Sequence, residues 1–187
     1  GSTRLVLDEV TGIDRRQRQL HFAKRPPLDY DLLSIGIGSQ PSFDGVTVDD
    51  PAGLITVKPM QTFLQRLKSR LQDIASTHRE CRVLIVGGGA GSLEIGWCLR
   101  SAWNRRSSAQ SSPLAEVLFG LEKLEITLVT GAAEIGSGLK SSTVKKAVEA
   151  CRRFDIELIR GERIAQVDRT GCRTESGHRV PADIVIW

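Results

Sequence analysis

The stretch that most restricts the fold runs Val-Leu-Ile-Val-Gly-Gly-Gly-Ala-Gly-Ser-Leu-Glu-Ile-Gly, residues 83–96. Four apolar β-formers break into glycines, and the glycines lead into a helix-like pattern. A buried strand ending in Gly-x-Gly and entering a helix is the first half of a βαβ unit, which demands a parallel sheet with a helix laid on it. At this spacing Gly87 lets the chain leave the strand sharply. Gly89, lacking Cβ, lets a pyrophosphate approach the backbone at the positive N-terminal end of a helix starting near Ala90. Gly88 and Gly91 complete the turn. Ser92 stands where a third glycine would bring helix and strand close, and adds a Cβ and a hydroxyl that can bond within the first turn. Glycine triplets also make plain loops, so a purely structural turn stays open.

The surrounding pattern alternates in the same sense. Strands are expected at residues 83–86, 124–129 and 156–159, and helices at 90–103 and 142–154. In the second helix Val144, Ala147, Val148 and Cys151 recur at helical spacing, and Ser-Ser-Thr at its start offers a cap. An earlier helix over residues 61–76 places Phe63, Leu64, Leu67, Leu71 and Ile74 on one stripe, after an extended Gly-Leu-Ile-Thr-Val-Lys-Pro linker. Residues 104–123 read as a serine-rich surface insertion with a short helix at 113–118. A βαβα series of this kind implies an α/β fold with a parallel sheet.

A repeat frames this series. Residues 4–14 and 18–23 read as a hairpin followed, after Pro26-Pro27, by a more buried strand over 30–39. Residues 163–187 follow the same plan. Val10-x-x-Ile13-Asp14-Arg15 parallels Ile164-x-x-Val167-Asp168-Arg169, and Asp31-Leu32-Leu33-Ser34-Ile35 parallels Asp183-Ile184-Val185-Ile186-Trp187. Each copy is a small antiparallel meander leading into an Asp-headed apolar strand.

Charge and composition exclude several classes. The formal net charge of +4 comes from scattered basic pairs with no aromatic interleaving, so nucleic acid is not expected as a partner. Cys81, Cys98, Cys151 and Cys172 lie far apart and the three histidines are isolated, so no metal site is expected and the thiols read as buried and free in a reducing cytoplasm. No apolar run approaches the ~18 residues of a membrane span. Gly1-Ser2 reads as a cloning remnant and the stop at Trp187, directly after an apolar strand, as a cut end, so a fragment is expected.

Two further positions bear on a nucleotide. After Leu-Glu-Ile-Thr-Leu-Val the chain has Thr130 and then Gly131, so the carboxylate that would hold the ribose hydroxyls is missing, and no arginine stands there for a 2′-phosphate. Glu94 lies about one turn inside the helix, where the dipole favours negative charge; a dipole-stabilised surface residue and a functional carboxylate both fit.

The order of meander, Gly-Ser-x-Pro turn, linker, Val-Gly-Gly-Gly turn, second meander and Asp-Ile-Val-Ile-Trp resembles the pyridine nucleotide-disulfide oxidoreductase superfamily, which includes type II NADH dehydrogenases. In that family an NAD(P)H domain is inserted into an FAD domain of similar fold, which accounts for the repeat. Gly36-Ile-Gly-Ser-Gln-Pro41 is similar to the family's Ala-Thr-Gly-Ser-x-Pro crossover beside the flavin, with Gly36 and Ile37 departing from Ala-Thr. Together with Val57-Lys-Pro59, it looks most like the modules fused to selenide, water dikinase. The resemblance implies that Gly87, Gly88, Gly89, Ala90, Gly91, Ser92 and Thr130 bind the nicotinamide cofactor. Gly38 and Ser39 would lie at the flavin crossover, and Glu94 near the nicotinamide as the catalytic residue. The family's redox-active C-x-x-x-x-C is absent from this stretch.

The expected fold is therefore α/β, a Rossmann-like three-layer NAD(P)-binding domain with a parallel sheet and an antiparallel meander, plus a partial FAD-domain meander. Residues 1–43 would be the FAD-domain piece, 44–80 a linker and helix, and 81–187 the NAD(P)H domain. The resemblance implies NAD(P)H and, in the intact parent, FAD as cofactors. Hydride would pass to flavin and then to a quinone or another acceptor, in a cytoplasmic parent that could be membrane-peripheral. The fragment itself is expected to be inactive, and its exposed meander could pair with a second copy. The alternative is a non-catalytic Rossmann-like module that senses a nucleotide or docks a partner. A glycine-rich FAD turn upstream of Arg4 in the parent reading frame would separate the two.

Overall fold

The computed structural model describes residues 3–108, 112–136 and 138–187. The chain divides into two units, residues 1–38 and 39–187. Gly1-Ser2 and the centre of the serine-rich tract, residues 109–111, lie outside the described residues.

The first unit is a meander of β1 (Val10–Asp14), β2 (Gln19–Phe22) and β3 (Leu28–Asp29), each strand antiparallel to the next. Its first turn is set by Asp14, whose Oδ1 accepts the N–H groups of Arg16 and Gln17 at 2.8 Å. A side chain that mimics a backbone turn in this way is a common reason for Asp between two strands.

The second unit contains β4 (Thr47–Val48), a 3-10 turn at Pro51–Gly53, β5 (Leu54–Ile55), α1 (Met60–Thr77), β6 (Glu80–Val86), α2 (Ala90–Asn104) and α3 (Pro113–Leu118). It continues with β7 (Lys123–Thr130), α4 (Ser141–Arg153), β8 (Glu157–Arg160), β9 (Ile164–Asp168), β10 (Gly171–Thr174), β11 (Arg179–Pro181) and β12 (Ile184–Ile186). A five-stranded sheet in the order β5-β12-β6-β7-β8 is parallel throughout. The second half of its central strand β6, residues 83–86, is an unbroken apolar run because both faces are covered there. Ile85, Ile126, Leu128 and Ile184 face the helix layer, while Leu84, Val129 and Val185 face the β9–β11 meander. The result is the expected three-layer α/β architecture.

The repeat is visible in the hydrogen bonds of the two units taken separately. Asp168 Oδ1 accepts the Thr170 N–H at 2.8 Å, as Asp14 does in its own turn. Tyr30 N–H donates to the Arg18 carbonyl at 2.9 Å, and Ala182 N–H to the Thr170 carbonyl at 3.0 Å. The second copy then feeds β12 into the parallel sheet. Asp183 at its head accepts from the Arg82 backbone N–H at 2.8 Å and from its guanidinium at 2.7 and 3.1 Å, which locks β12 against β6.

Several expectations need correction. Residues 30–39 form no strand: Leu32 and Ile37 are 92% and 91% exposed. A strand of this type is stable only between partners, as β12 is between β5 and β6, and no described strand pairs with it. Residues 4–9 likewise lie outside β1. The segment 44–80 supplies β4 to the meander sheet, where it pairs with β9, and β5 to the parallel sheet. Leu64 falls off the buried stripe of α1 and is 53% exposed, because the stripe advances through Phe63, Leu67, Leu71 and Ile74. The Ser-Ser-Thr start of α4 supplies no cap; the helix starts at Ser141 with Lys140 in the cap position and no side-chain capping bond. Of the cysteines, Cys81, Cys151 and Cys172 are buried, but Cys98 is exposed on α2.

Candidate functional site

The turn after β6 sits at the carboxyl edge of the parallel sheet, between β7 and the start of α2. Its first glycine is required by backbone geometry. Gly87 has φ +117, its N–H donates to the Val129 carbonyl at 2.8 Å, and a Cβ there would stand 3.1 Å from Ser92 Oγ. Gly88 is required by packing, since a Cβ would lie 2.8 Å from Thr130 Oγ1 and 3.0 Å from Thr130 Cβ.

Gly89 differs from both. It is the N-cap of α2 with φ −78 and ψ 171, a conformation open to any residue, and a Cβ there would meet nothing within 4 Å. No side chain caps this helix end. A glycine that folding does not need therefore stands at an uncapped helix N-terminus, with the first N–H groups of α2 free of side-chain acceptors. Gly91 in the first turn is equally open.

The close approach of helix to strand, expected at position 92, is made one turn later. A Cβ on buried Gly96 would lie 3.2 Å from Ile156 Cδ1 and 3.4 Å from Ile85 Cδ1. Ser92 instead lays its hydroxyl against Gly87, so the departure from glycine leaves helix packing intact. The only sequence signal for Gly96 is a glycine inside a helical pattern, which by itself does not say what it packs against.

Thr130 is buried at the end of β7, and its Oγ1 accepts the Ala132 N–H at 3.2 Å. The chain then returns past it: Glu162 N–H donates to the Thr130 carbonyl at 3.0 Å and Gly161 N–H to the Ala132 carbonyl at 2.9 Å. This return carries a residue that the sequence did not point to. The Arg163 side chain lies across Gly131, where a Cβ would overlap its Cγ and come within 3.3 Å of Nε. Arg160 is the register partner of Thr130 on β8. The sequence was silent because both arginines reach the edge of β7 from about thirty positions further on.

A cavity of about 350 Å³ borders this edge, lined by Gly87, Thr130, Gly131, Arg163, Glu175 and Trp187 among others. Trp187 is held by its Nε1–H bond to the Ser42 carbonyl at 3.0 Å and by the Phe43 ring, 5.0 Å away centroid to centroid. A larger groove of about 730 Å³ lies between α2 and α4, lined by Trp97, Lys146 and Arg152 among others, away from every glycine turn. Glu94 is exposed in the second turn of α2 and makes no side-chain bond among the described residues. Gly38, with φ +72, and Ser39 stand at the junction of the two units.

Glu162 is held below the usual carboxylate range by the hydroxyls of Ser176, at 2.7 and 2.9 Å, and Thr174. Burial pushes the Cys81 and Cys172 thiols up to about 12, so they stay protonated and inert. Among the described residues no cluster of His, Cys, Asp or Glu could hold a metal, and no helix is long and apolar enough to cross a membrane.

The arrangement can hold a dinucleotide by backbone. It offers a helix N-terminus without a side-chain cap at Gly89, open space around that residue, and a cavity along the sheet edge.

Known proteins agree with this architecture. The family model described as pyridine nucleotide-disulphide oxidoreductase matches residues 1–187. The ferredoxin reductase for the CYP199A2 system from Rhodopseudomonas palustris superposes with a TM-score of 0.67 at 19% identity, over 97% of this chain and 40% of that one. The sulfide:quinone oxidoreductase from Aquifex aeolicus gives 0.67 at 14% identity, over 96% and 41%. The water-forming NADH oxidase from Lactobacillus brevis, solved bound to NADH, gives 0.61 at 18% identity, over 95% and 36%. These likenesses establish a shared fold. In each case the chain spans less than half the length of its counterpart.

Proposed function

The chain belongs to the pyridine nucleotide-disulphide oxidoreductase family, and from that premise we propose that residues 39–187 are the NAD(P)H-binding part of a flavin-dependent NAD(P)H dehydrogenase. Residues 1–38 are a piece of its FAD domain, the first meander of a repeat whose second copy completes the nicotinamide domain. The observation that carries this is Gly89: glycine where folding tolerates any residue, at a helix end left without a side-chain cap.

In this account Gly87, Gly88 and Gly89 shape the pyrophosphate seat, and the backbone N–H groups from Ala90, Gly91 and Ser92 are the donors aimed at it. Thr130 and Gly131 border the adenosine ribose. Glu94, on the exposed face of α2, lies toward the nicotinamide and orients it. Gly38 and Ser39 form the crossover from the FAD domain. The chemistry supplied by the two cofactors when bound is hydride transfer from nicotinamide to flavin, followed by electron delivery to an acceptor. The protein's part is to seat the dinucleotide, align it and exclude water from its reacting face. The acceptor is a quinone or another electron carrier; the fold-mates include a sulfide:quinone oxidoreductase and a ferredoxin reductase. Residues 1–187 carry one glycine-rich strand-to-helix turn, the one assigned here to the nicotinamide cofactor, so the purified chain is expected to be colourless and to have no turnover.

Titration of the chain with NADH, NADPH and ADP-ribose, followed by calorimetry, tests this. Saturable binding of all three is expected. Glu94→Gln should change the affinity for NADH and leave ADP-ribose, which lacks the nicotinamide, within about twofold. Absence of binding, or a yellow protein that oxidises NADH unaided, contradicts the proposal.

A further inference from the structure

We propose that the site selects NADPH over NADH, with Arg163 as the residue that takes the 2′-phosphate; the inference rests on the nucleotide site proposed above. Three observations converge on the end of β7. No carboxylate stands there to hold the ribose hydroxyls, because the strand ends in Thr130, whose Oγ1 is engaged with the Ala132 N–H, followed by Gly131. Gly131 is a cradle for Arg163: its missing Cβ is the space that the Arg163 stem occupies, so the guanidinium is delivered over the ribose position by packing. Arg160 adds a second guanidinium-bearing residue at the same edge, in register with Thr130.

The charges support the direction. Arg163 is exposed and forms no ion pair among the described residues, so its five donors are available to an incoming phosphate. Of the carboxylates nearby, Glu162 is committed to Ser176. Glu175 and Asp44 line the same cavity, and the Glu175 N–H donates to the Arg163 carbonyl at 2.8 Å. They oppose an anion and cap the gain, while a planar guanidinium that grips phosphate through two parallel N–H bonds outweighs more diffuse repulsion across a solvated cavity. A plain 2′-hydroxyl gains less from a guanidinium, since it offers a single neutral acceptor and no anionic oxygens for the two parallel N–H bonds to grip.

The experiment compares NADPH with NADH, and 2′,5′-ADP with 5′-ADP, by calorimetry on the wild-type chain, Arg163→Gln and Arg163→Lys. In the wild type the 2′-phosphorylated member of each pair is expected to bind at least about tenfold more tightly. Arg163→Gln should erase that preference by weakening NADPH far more than NADH, and Arg163→Lys should restore part of it, as a charge without the fork. Equal or tighter binding of NADH by the wild type overturns the inference while leaving the nucleotide site standing. An undiminished preference in a folded Arg163→Gln chain also overturns it. Failure of every nucleotide to bind overturns the site itself and this inference with it.

Discussion

Gly89→Ser separates what the turn needs for folding from what it needs for binding. A serine at position 89 meets no steric obstacle, because the space around the added Cβ is open and the backbone is already in an extended conformation. It also improves the helix cap: a serine oxygen can accept from the N–H groups of the first turn, where serine is favoured over glycine by a few tenths of a kcal/mol. Stability should therefore hold or rise slightly, with Tm within about 3 °C of the wild type. The same oxygen fills the anion seat, and losing two backbone bonds to a charged phosphate costs roughly 2–4 kcal/mol, on the order of 30- to 1000-fold in Kd. Gly88→Ala is the contrasting control. Its Cβ would press on Thr130 at 2.8 Å, so it should lower stability by about 1–3 kcal/mol. The assay is thermal unfolding by circular dichroism alongside NADH and NADPH titration. If Gly89→Ser binds as tightly as wild type, or unfolds while Gly88→Ala does not, the assignment of roles within the turn is refuted.

Other expectations concern the scaffold. Burial acts to raise the Asp183 pKa, but the hydrogen bonds from Arg82 outweigh it and hold the carboxyl below its ordinary value, so its contribution is full above about pH 4 and is lost as pH falls through the folded pKa. Asp183→Asn should lower Tm at pH 7 and flatten the decline of Tm below about pH 4, measured by scanning calorimetry; an unchanged decline contradicts the coupling. Ellman titration of the native chain should report one reactive thiol, Cys98, and four after denaturation. Gly131→Ala should displace the Arg163 stem and weaken NADPH more than NADH, and should lower Tm as well, because the added Cβ overlaps Arg163 Cγ close to its backbone and not the far end of the side chain.

The parts of this fold legible in the sequence were those where a local signal and a tertiary requirement coincide. The continuous apolar run of β6 predicts a strand buried on both faces, and the spacing of Ala147 and Cys151 predicts the buried side of α4. The paired Asp14 and Asp168 turns expose the repeat, because each aspartate makes a local bond that needs no distant partner. Illegible parts depended on distant chain. Residues 32–37 carry a strand's composition yet form none, since a strand exists only where neighbours accept its hydrogen bonds. The two-residue β4 and β5 have no local pattern and are defined by their pairing with β9 and β12. Arg163 became a site residue only because the chain returns past Thr130 after β8 and Gly131 leaves it room. Gly96 was quoted in the opening motif, but its closeness to Ile85 and Ile156 is a property of the packed helix.

The central claim is that the turn after β6 holds the pyrophosphate of a nicotinamide dinucleotide. Amide chemical shifts of the ¹⁵N-labelled chain, followed through an NADPH titration, test it most directly. Saturable shifts are expected, concentrated at Gly89, Ala90 and Gly91 and at Gly131 and Ala132, and reproduced in part by ADP-ribose. Shifts confined to the groove between α2 and α4, or none at saturating NADPH, would contradict it.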